Sequence, residues 1–407
     1  MESTSQPPLE RARAVKALNA RPQRRFEVLA NHLKAQTPLE RAACSVSLVG
    51  QPLGAKANGA PVVVGGMVLD IQACPATHEI RPGTTTPGQV RYVRGGVGRN
   101  VAECLAKLGQ HPFLISVVGD DMAGDSLIAH WRSLGLSVDG IRKCVGISTP
   151  VVSAVFDTGG ELAAAVADTQ AVEVYLTPDW IERFTTQIQA APVVMLDANL
   201  HPLAIKVACK LASDAGVPVW FEPVSIAKAT RATGLLKSIT FVSPNEAEIV
   251  AMAEALQPKK KKAGYLAQVR LEEGTSMRSV SDILGQELQG PIREVLRAGV
   301  KYIVLTLGSQ GAVLCSREPL GQILFHHYSA LPASVVKLSG AGDCLVAGTL
   351  AALSKNLVEP RAVAYGLAAA KLAVESEMNV PERLSWEQLS DSVRDVLDQV
   401  RTLVVFS

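Results

Sequence analysis

The stretch SGAGDCLVAGTLAAL, residues 339–353, decides the fold and the chemistry of this chain. Gly340, Ala341 and Gly342 precede an apolar pattern typical of a buried helix. Such small residues let backbone N–H groups crowd together at a helix N-terminus, which carries about half a positive charge. That arrangement binds an anion without any basic side chain. Asp343 follows at once. It is either an ordinary helix cap or a catalytic carboxylate, and the three small residues before it favour a catalytic role.

Outward from this stretch, short apolar β-branched runs alternate with helical periods. The runs begin with PVVVGG at residue 61 and recur at 113–119, 193–199, 217–223, 239–245 and 302–308. The helical periods at 101–109 and 201–216 end at Gly109 and Gly216, as helices often do. This alternation predicts a three-layer αβα fold, with a doubly wound, mostly parallel sheet between two layers of helices.

Two segments interrupt the alternation with β-rich sequence, residues 74–94 and 147–167. Thr-Gly-Gly at 158–160 separates two apolar runs as a hairpin turn would. Two separated β pieces beside an α/β core predict a small β lid over a site. A third interruption, residues 257–290, carries QPKKKKAG followed by polar sequence. It favours a solvated surface insertion, and a nuclear address or a polyanion contact is the alternative.

The composition limits the class of protein. The 407 residues are 48% hydrophobic and 19% charged, so the chain can bury a large core and is not mainly disordered. Lys and Arg number 40 against 38 Asp and Glu, a net charge of +2 that gives no sign of nucleic-acid binding. Since no apolar run reaches the roughly 18 residues of a membrane span, we expect no membrane association.

The cysteines and the N-terminal segment indicate the compartment. Seven scattered cysteines with no CxxC argue against a disulfide framework or a zinc site and favour a reducing compartment. Residues 1–59 end in the linker-like QPLGAKANGAP and predict a helical or disordered extension before one domain at 60–400. Arginines there resemble an organellar transit peptide, but acidic residues argue against one, and no secretory signal is present. We therefore expect a cytoplasmic protein.

Two motifs carry a resemblance to a known family. The stretch SGAGDCLVAG and the segment 94–109, RGGVGRNVAECLAKLG, resemble the signatures of the ribokinase-like (PfkB) sugar and nucleoside kinases. This resemblance implies that Asp343 is the general base that takes a proton from the substrate hydroxyl. It also implies that backbone amides of Gly340, Ala341 and Gly342 form an anion hole for the transferring phosphoryl group. Phosphoryl transfer needs this kind of positioning and charge neutralisation more than covalent chemistry.

The same resemblance assigns the acceptor side of the site. Gly95 and Gly96 let the backbone approach a sugar closely, and Asn100 hydrogen-bonds its hydroxyls. VVVGGMVLD resembles the first strand of the family and its substrate-binding acid, here Asp70. An acid just past a buried strand, at the carboxyl edge of a parallel sheet, faces the ligand crevice, although a simple capping role is the alternative. Taken alone, GGVGRN could be mistaken for a dinucleotide fingerprint, but it lacks the full GxGxxG spacing.

Two further motifs resemble the nucleotide side. SPNEAEIV at 243–250 resembles the Asn-x-x-Glu motif that organises Mg²⁺ and ATP phosphates through water, here Asn245 and Glu248. TLGSQGAVL at 306–314 resembles a strand–turn–strand that lines the ATP channel. The residues implied there are Thr306, Gly308 and Gly311. The expected cofactors are therefore ATP and Mg²⁺.

Three softer stretches resemble the pseudouridine kinases within this family. They are FEPVSIAKA at 221–229, LAAAVADTQAVEVYLTP at 162–178 and AAKLAVESEMNVPERL at 369–384. The last implies that Asn379 lies near the adenine pocket. Phosphate transfer to the 5′-hydroxyl of pseudouridine is the leading expectation. Another kinase of this fold, acting on ribose, fructose or another nucleoside, is one alternative. A binding or regulatory protein without turnover is another. Since lid strands pair between subunits in some members of this family, the resemblance also implies a homodimer.

One position departs from the family. Where members activated by potassium carry an Asp before the Gly-Ala-Gly-Asp motif, this chain has Lys337. An ammonium group cannot ligate a cation. It either points into solvent or supplies positive charge where the cation would lie. We therefore predict weak or no activation by potassium.

Overall fold

The computed structural model describes residues 59–77, 83–158, 162–257, 279–280, 283–318 and 321–405. The expected N-terminal extension lies outside these residues apart from Gly59. The Lys-rich run at 259–262 and the turn at 159–160 lie outside them as well.

The described residues form two sheets. The fourteen strands are β1 Val62–Val64, β2 Val68–Pro75, β3 Gly88–Gly95, β4 Phe113–Gly119, β5 Ile141–Cys144, β6 Val151–Phe156, β7 Leu162–Asp168, β8 Val194–Asp197, β9 Val219–Glu222, β10 Phe241–Val242, β11 Tyr302–Thr306, β12 Ala312–Arg317, β13 Ile323–Tyr328 and β14 Arg401–Val405.

The large sheet has ten strands in the order β14-β13-β12-β11-β10-β9-β8-β1-β4-β5. From β5 to β11 all neighbours are parallel, and the last three strands extend the sheet antiparallel. Strand β1 lies between β8 and β4, with Val63 opposite Met195 on one side and Leu114 on the other. Apolar β-branched runs of this kind suit strands buried on both faces. The prediction of a mostly parallel α/β sheet is confirmed.

Helices cover both faces of this sheet. The longer ones are α1 Val97–Lys107, α2 Met122–Ser133, α3 Gln170–Tyr175, α4 Pro178–Glu182, α5 Thr185–Ala190, α6 Pro202–Asp214, α7 Glu246–Leu256, α8 Gln289–Arg297, α9 Ala341–Ser354, α10 Glu359–Val374 and α11 Trp386–Asp398. Helices α1, α2, α9, α10 and α11 pack in one apolar core, and α3 to α8 pack in the other. The sheet between the two cores completes the predicted three layers.

The small sheet is the predicted lid, with strand order β3-β2-β6-β7. It begins at Val68 rather than at residue 74, because β2 pairs with β3 along its whole length. Asp70 therefore lies within a lid strand. The sequence instead predicts this residue just past a strand of the parallel sheet. The acid reaches the site from the lid instead of from the sheet edge.

Two other boundaries differ from the sequence expectation. The predicted surface insertion at 257–290 includes Ile283, Leu284 and Leu288, which are buried against α8 and the sheet. Apolar side chains at these positions therefore belong to the core rather than to a solvated segment. The domain also continues past residue 400, since β14 pairs with β13 and closes that edge of the large sheet.

The strand order changes direction between β1 and β8, so the chain leaves these two adjacent strands toward opposite ends of the sheet. A crevice forms at such a point, outside the carboxyl ends of the strands, and it is the usual ligand site of open α/β sheets. Residues just after β1 and β8 therefore define the floor of the candidate site.

Candidate active site

A buried carboxylate holds the floor of the crevice. Asp197 ends β8 with its side chain inaccessible to solvent, and one oxygen accepts from the Gly66 amide at 2.9 Å. The other accepts from the Asn199 amide at 2.8 Å. A Cβ on Gly65 would lie 2.2 Å from this carboxylate, so only glycine fits there. Asp197 thus ties the turn after β1 to the end of β8. The sequence analysis missed it, although an acid ending an apolar strand was a visible signal.

The anion cradle lies at the start of α9. The helix begins at Ala341, with Gly340 as its N-cap, so Ala341, Gly342 and Asp343 form the first turn. The sequence analysis had placed the small residues before the helix. Gly340 has φ of 85°, and a Cβ there would lie 2.2 Å from the Asn379 carbonyl oxygen. The N–H groups of this turn have no acceptors within the helix, as at every helix start, so they can serve an anion. That of Ala341 donates to the Leu338 carbonyl at 3.3 Å and would have to exchange this long bond for the anion.

The predicted base and the predicted sugar ligand are in direct contact. The Nδ2 of Asn100, in the first turns of α1, donates to Oδ2 of Asp343 at 2.6 Å. Burial raises the pKa of the Asp343 carboxyl to about 6, whereas Asn100 and the positive charge of Arg99 lower it. A carboxyl held near this pKa is ionised at neutral pH and still basic enough to accept a proton.

A second charged residue behind Asn100 was missed by the sequence analysis. Arg99 is 2% exposed, and its guanidinium donates to the Asn100 side-chain oxygen. It also donates to the carbonyls of Arg94 and Gly95 and forms an ion pair with Glu103, at 2.6 Å. An Arg and a Glu four residues apart in the helix that carries the Asn100 motif were the available signal.

Gly95 and Gly96 shape the other wall. A Cβ on Gly95 would lie 2.4 Å from the Asp70 carboxylate, so glycine lets this acid approach the end of β3. Gly96 has φ of 92° and is the N-cap of α1. The structure therefore brings Asp70, Gly95, Gly96 and Asn100 together at the base of the lid.

The side chain of Lys337 lies within the site. Of the two orientations that the sequence allowed, the one that points into solvent is therefore wrong. Its Nζ donates to Oδ1 of Asn379 at 2.7 Å, and Asn379 Nδ2 donates to Oδ2 of Asp70 at 3.2 Å. Burial lowers the pKa of Lys337, and Asp70 raises it. Asn379, expected near adenine, thus has its side chain against Asp70, on the acceptor side of the site. Its backbone carbonyl faces Gly340.

The predicted nucleotide residues form a second group. Asn245 is the N-cap of α7, and its side chain accepts from the Glu248 amide while Glu248 Oε2 accepts from the Asn245 amide, both at 2.9 Å. This capping box gives the pair a structural role beside any role toward metal. Thr306 ends β11 and bridges to Asn245 in parallel. Gly308 and Gly311 flank the short turn between β11 and β12.

Glu222 connects the two groups. It ends β9 and accepts from the Ser243 hydroxyl, which in turn accepts from Trp220 Nε1 at 2.7 Å. Burial raises the pKa of Glu222 well above its ordinary value, and the nearby charges of Asp343 and Glu248 raise it further. The carboxyls of Asp343 and Glu248 are therefore both close enough to Glu222 to act on it electrostatically. The FEPVSIAKA stretch contains Glu222, but its pattern did not predict a place for this residue in the site.

Two features are absent from the described residues. No helix within residues 59–405 that the structure describes is long and apolar enough to cross a membrane. Across the same residues, no group of three or more His, Cys, Asp or Glu side chains is arranged to hold a metal ion.

Known proteins resemble this chain along most of its length. The model of the PfkB family of carbohydrate kinases matches residues 61–380. The pseudouridine kinase of Arabidopsis thaliana is 41% identical, over 85% of this chain and 98% of that protein. The pseudouridine kinase of Escherichia coli is 26% identical, over 78% of this chain and 90% of that protein.

Solved structures share the fold. The ribokinase of Arabidopsis thaliana, complexed with ribose and ATP, has a TM-score of 0.66 at 23% identity, covering 83% of this chain and 98% of that one. The ribokinase of Thermotoga maritima has a TM-score of 0.64 at 21% identity, covering 82% and 99%. These likenesses confirm the expected ribokinase-like fold. Because the family model spans most of its length, this chain belongs to the PfkB family of carbohydrate kinases.

Proposed function

We propose that this protein is an ATP-dependent kinase that phosphorylates the 5′-hydroxyl of pseudouridine. The observation that carries the proposal is the contact between Asn100 and Asp343 at the N-terminus of α9. It joins a group suited to bind ribose, a carboxylate suited to accept a proton and a helix end suited to receive phosphate. Similarity to pseudouridine kinases favours this acceptor over other alcohols.

In this proposal the ribose binds between the lid and α1. Asp70 accepts hydrogen bonds from two ribose hydroxyls. Gly95 and Gly96 let the sugar approach the backbone, and Asn100 contacts a hydroxyl beside the base. The lid strands exclude water from the acceptor, which limits hydrolysis of ATP.

Proton transfer is assigned to Asp343. The carboxylate takes the proton of the 5′-hydroxyl as that oxygen attacks the γ-phosphorus of ATP, and the bond from phosphorus to the β,γ-bridging oxygen breaks. The products are pseudouridine 5′-phosphate and ADP. Amides of Gly340, Ala341 and Gly342 stabilise the negative charge on the equatorial oxygens of the transferring group.

The nucleotide side is assigned to Asn245, Thr306, Gly308 and Gly311. Residues present there also fit Mg²⁺ held through its water shell. Glu248 uses Oε2 for its capping bond, so its Oε1 is the oxygen that would accept from a water on the ion. When bound, the ion would neutralise charge on the ATP phosphates. The side chain of Asn379 contacts Asp70, so only its backbone carbonyl, which lies against Gly340, is near the proposed nucleotide site.

A phosphate-transfer assay tests the acceptor. With ATP and Mg²⁺, we expect the highest kcat/KM for pseudouridine among pseudouridine, uridine, cytidine, adenosine, fructose and ribose. A clear preference for ribose or fructose would assign the chain to the sugar kinases of this fold instead. Binding of these compounds with no transfer to any of them would support a regulatory role.

The variant Asp343→Asn tests the mechanism. Its amide carbonyl can still accept from Asn100, so the geometry is preserved while the base is lost. We expect kcat to fall by about 10²–10⁴, with the Kd of ATP little changed. Near-normal turnover by this variant would overturn the assignment of the base.

Two further proposals concern the oligomeric state and the cellular compartment. We infer a homodimer in which the outer faces of two lids meet, because Val90, Tyr92 and Val166 expose 59%, 65% and 75% of their surface there. We also infer a reducing cytoplasmic setting, because the cysteines in the described part of the chain, from Cys74 to Cys344, have free thiols.

A further inference from the structure

A chain of buried polar contacts runs through α1 away from Asp343. Asn100 donates to Asp343, and Arg99 donates to Asn100. Glu103 binds Arg99 at 2.6 Å and also receives Lys107 at 3.2 Å and His130 Nε2 at 3.0 Å. Arg99, Asn100 and Glu103 are 2%, 4% and 4% exposed. Arg and Glu side chains are rarely buried this completely unless they are paired, as Arg99 and Glu103 are here.

The direction of these contacts fixes the Asn100 amide. Its oxygen faces a guanidinium, which can only donate, so its NH₂ group must face Asp343. A neutral side chain at position 99 would leave the amide free to turn its oxygen toward the carboxylate, where two acceptors would repel each other. Arg99 therefore decides whether Asn100 presents a donor to the base.

The same guanidinium also holds the end of a lid strand. Its Nε donates to the Gly95 carbonyl at 3.2 Å, and Nη2 donates to the Arg94 carbonyl. The planar guanidinium thus joins the end of β3 at Gly95 to the side-chain amide of Asn100, which contacts the proposed general base Asp343. An ammonium group could keep the charge but could not make this set of directed bonds.

Glu103 keeps the Arg99 charge in place. Burial alone would raise the pKa of Glu103, but Arg99, Lys107 and His130 hold it at about 2, so the carboxylate stays ionised. Its negative charge offsets that of Arg99 and reduces the positive field that reaches Asp343.

We propose that Arg99 and Glu103 are positioning residues that orient Asn100 and set the field at Asp343, so that this carboxylate is ionised and correctly placed for proton transfer. This inference rests on the proposed role of Asp343 as the base. It adds two residues to the catalytic apparatus that touch neither acceptor nor nucleotide.

Several groups besides Arg99 face Asp343. They are Asn100 of α1, Asp70 of β2, Asp197 of β8, Glu222 of β9 and the neighbouring thiol of Cys344. Three of these groups are acids, so Arg99 is the cation that opposes their effect among the groups named. Removing its charge must raise the pKa of Asp343. Removing the Glu103 charge must lower it.

The test is the pH dependence of kcat in the variants Arg99→Met and Glu103→Gln. On the acidic side of the profile, we expect the pH at which kcat falls to half of its plateau to rise by on the order of one unit in Arg99→Met. In Glu103→Gln it should move downward by a smaller amount. In Arg99→Met we also expect kcat at its plateau to fall on the order of 10²-fold, because the amide and the glycine turn lose their orientation.

The conservative variant Arg99→Lys separates charge from geometry and covers the case in which Arg99→Met does not fold. It should lose kcat while its acidic limb stays close to that of the wild type. Lys210→Met and Asp214→Asn are matched controls, since this pair has the same spacing on the exposed face of α6. These controls should leave both kcat and its pH profile unchanged.

The outcomes distinguish the inference from the function on which it rests. Unshifted acidic limbs in folded Glu103→Gln and Arg99→Met, or full kcat in Arg99→Lys, with Asp343→Asn impaired as expected, would overturn the inference and leave the base in place. Full turnover by Asp343→Asn would overturn the base itself. Opposite shifts in Arg99→Met and Glu103→Gln, with inactive Asp343→Asn, are the expected result.

Discussion

At the scale of single residues, the site depends on carboxyls held away from their ordinary pKa. Burial raises the pKa of Asp343 to about 6 and raises that of Asp70 as well. The hydrogen bond from Asn100 lowers the pKa of Asp343, and that from Asn379 lowers the pKa of Asp70, so both oppose the effect of burial. Each of these two carboxyls therefore has one side-chain amide partner in the candidate site.

The pKa of Asp343 predicts how activity depends on pH. A base must be ionised to act, so kcat should be constant above a pH of about 6 and fall about tenfold for each pH unit below it. Stopped assays of phosphate transfer between pH 5 and 8 measure this profile. A kcat unchanged down to pH 5, with the enzyme still folded by circular dichroism, would contradict it.

Lys337 predicts the response to monovalent cations. Its ammonium is held by Asn379 near Asp70, so a positive charge is already built into this part of the site. We expect equal rates in potassium and sodium chloride at the same ionic strength. A many-fold increase on changing sodium for potassium would contradict this prediction.

A variant checks the same lysine independently. Lys337→Gln keeps a donor for Asn379 but removes the charge, so KM for the acceptor should rise several-fold. Lys210→Gln, on an exposed helix face, is the control and should have no effect.

At the scale of elements, the first turn of α9 separates folding from function. Gly340 has a positive φ and no room for a Cβ, whereas a Cβ on Gly342 would meet no atom within 4 Å. The first glycine is required by the backbone. The second lies in the first turn of a helix, where alanine is the better helix former.

These two glycines should respond differently to alanine. Gly340→Ala should lower the free energy of unfolding by about 1–3 kcal/mol through backbone strain. Gly342→Ala should leave stability unchanged or raise it by up to about 1 kcal/mol, yet lower kcat because its methyl crowds the anion cradle. Urea denaturation and turnover assays measure both. Equal stability losses in the two variants would contradict this explanation.

The elements of the core were predictable, whereas some contacts of the site were not. Apolar runs such as 113–119 match a strand residue for residue because burial on both faces leaves a continuous signal. Asp70 was placed on the wrong strand type, since short β-branched runs do not distinguish a lid from a sheet. Asn379 meets Asp70 across 309 positions, and no local pattern carries such a distance.

At the scale of the whole molecule, the lid sheet has two different faces. Asp70 pairs across the ladder with Val93 and Val152, on the face toward the site. The alternate rows, which contain Tyr92 and Val166, present apolar side chains outward. Isolated exposed apolar residues are normal, but rows of them on one sheet face indicate a contact surface.

This outer face predicts a homodimer that charge should disrupt. The double variant Tyr92→Lys and Val166→Glu should shift the protein from dimer to monomer in analytical ultracentrifugation. Leu203→Lys, at an apolar residue 56% exposed on α6, is the control and should leave the dimer intact. A wild-type protein that is monomeric at micromolar concentration would contradict the assembly.

The parallel strands also determine how the domain can be tethered. Gly59 and β1 enter the sheet from its amino edge, and β14, antiparallel to β13, leaves by the same edge. The crevice opens at the opposite edge. The two attachment points are seven strands apart, or about 34 Å. An enzyme anchored to a bead through a handle before residue 59 or after residue 405 should therefore keep its crevice open to substrate. A short peptide could not join the two points without a crossing of that length, so circular permutation would need a long connector.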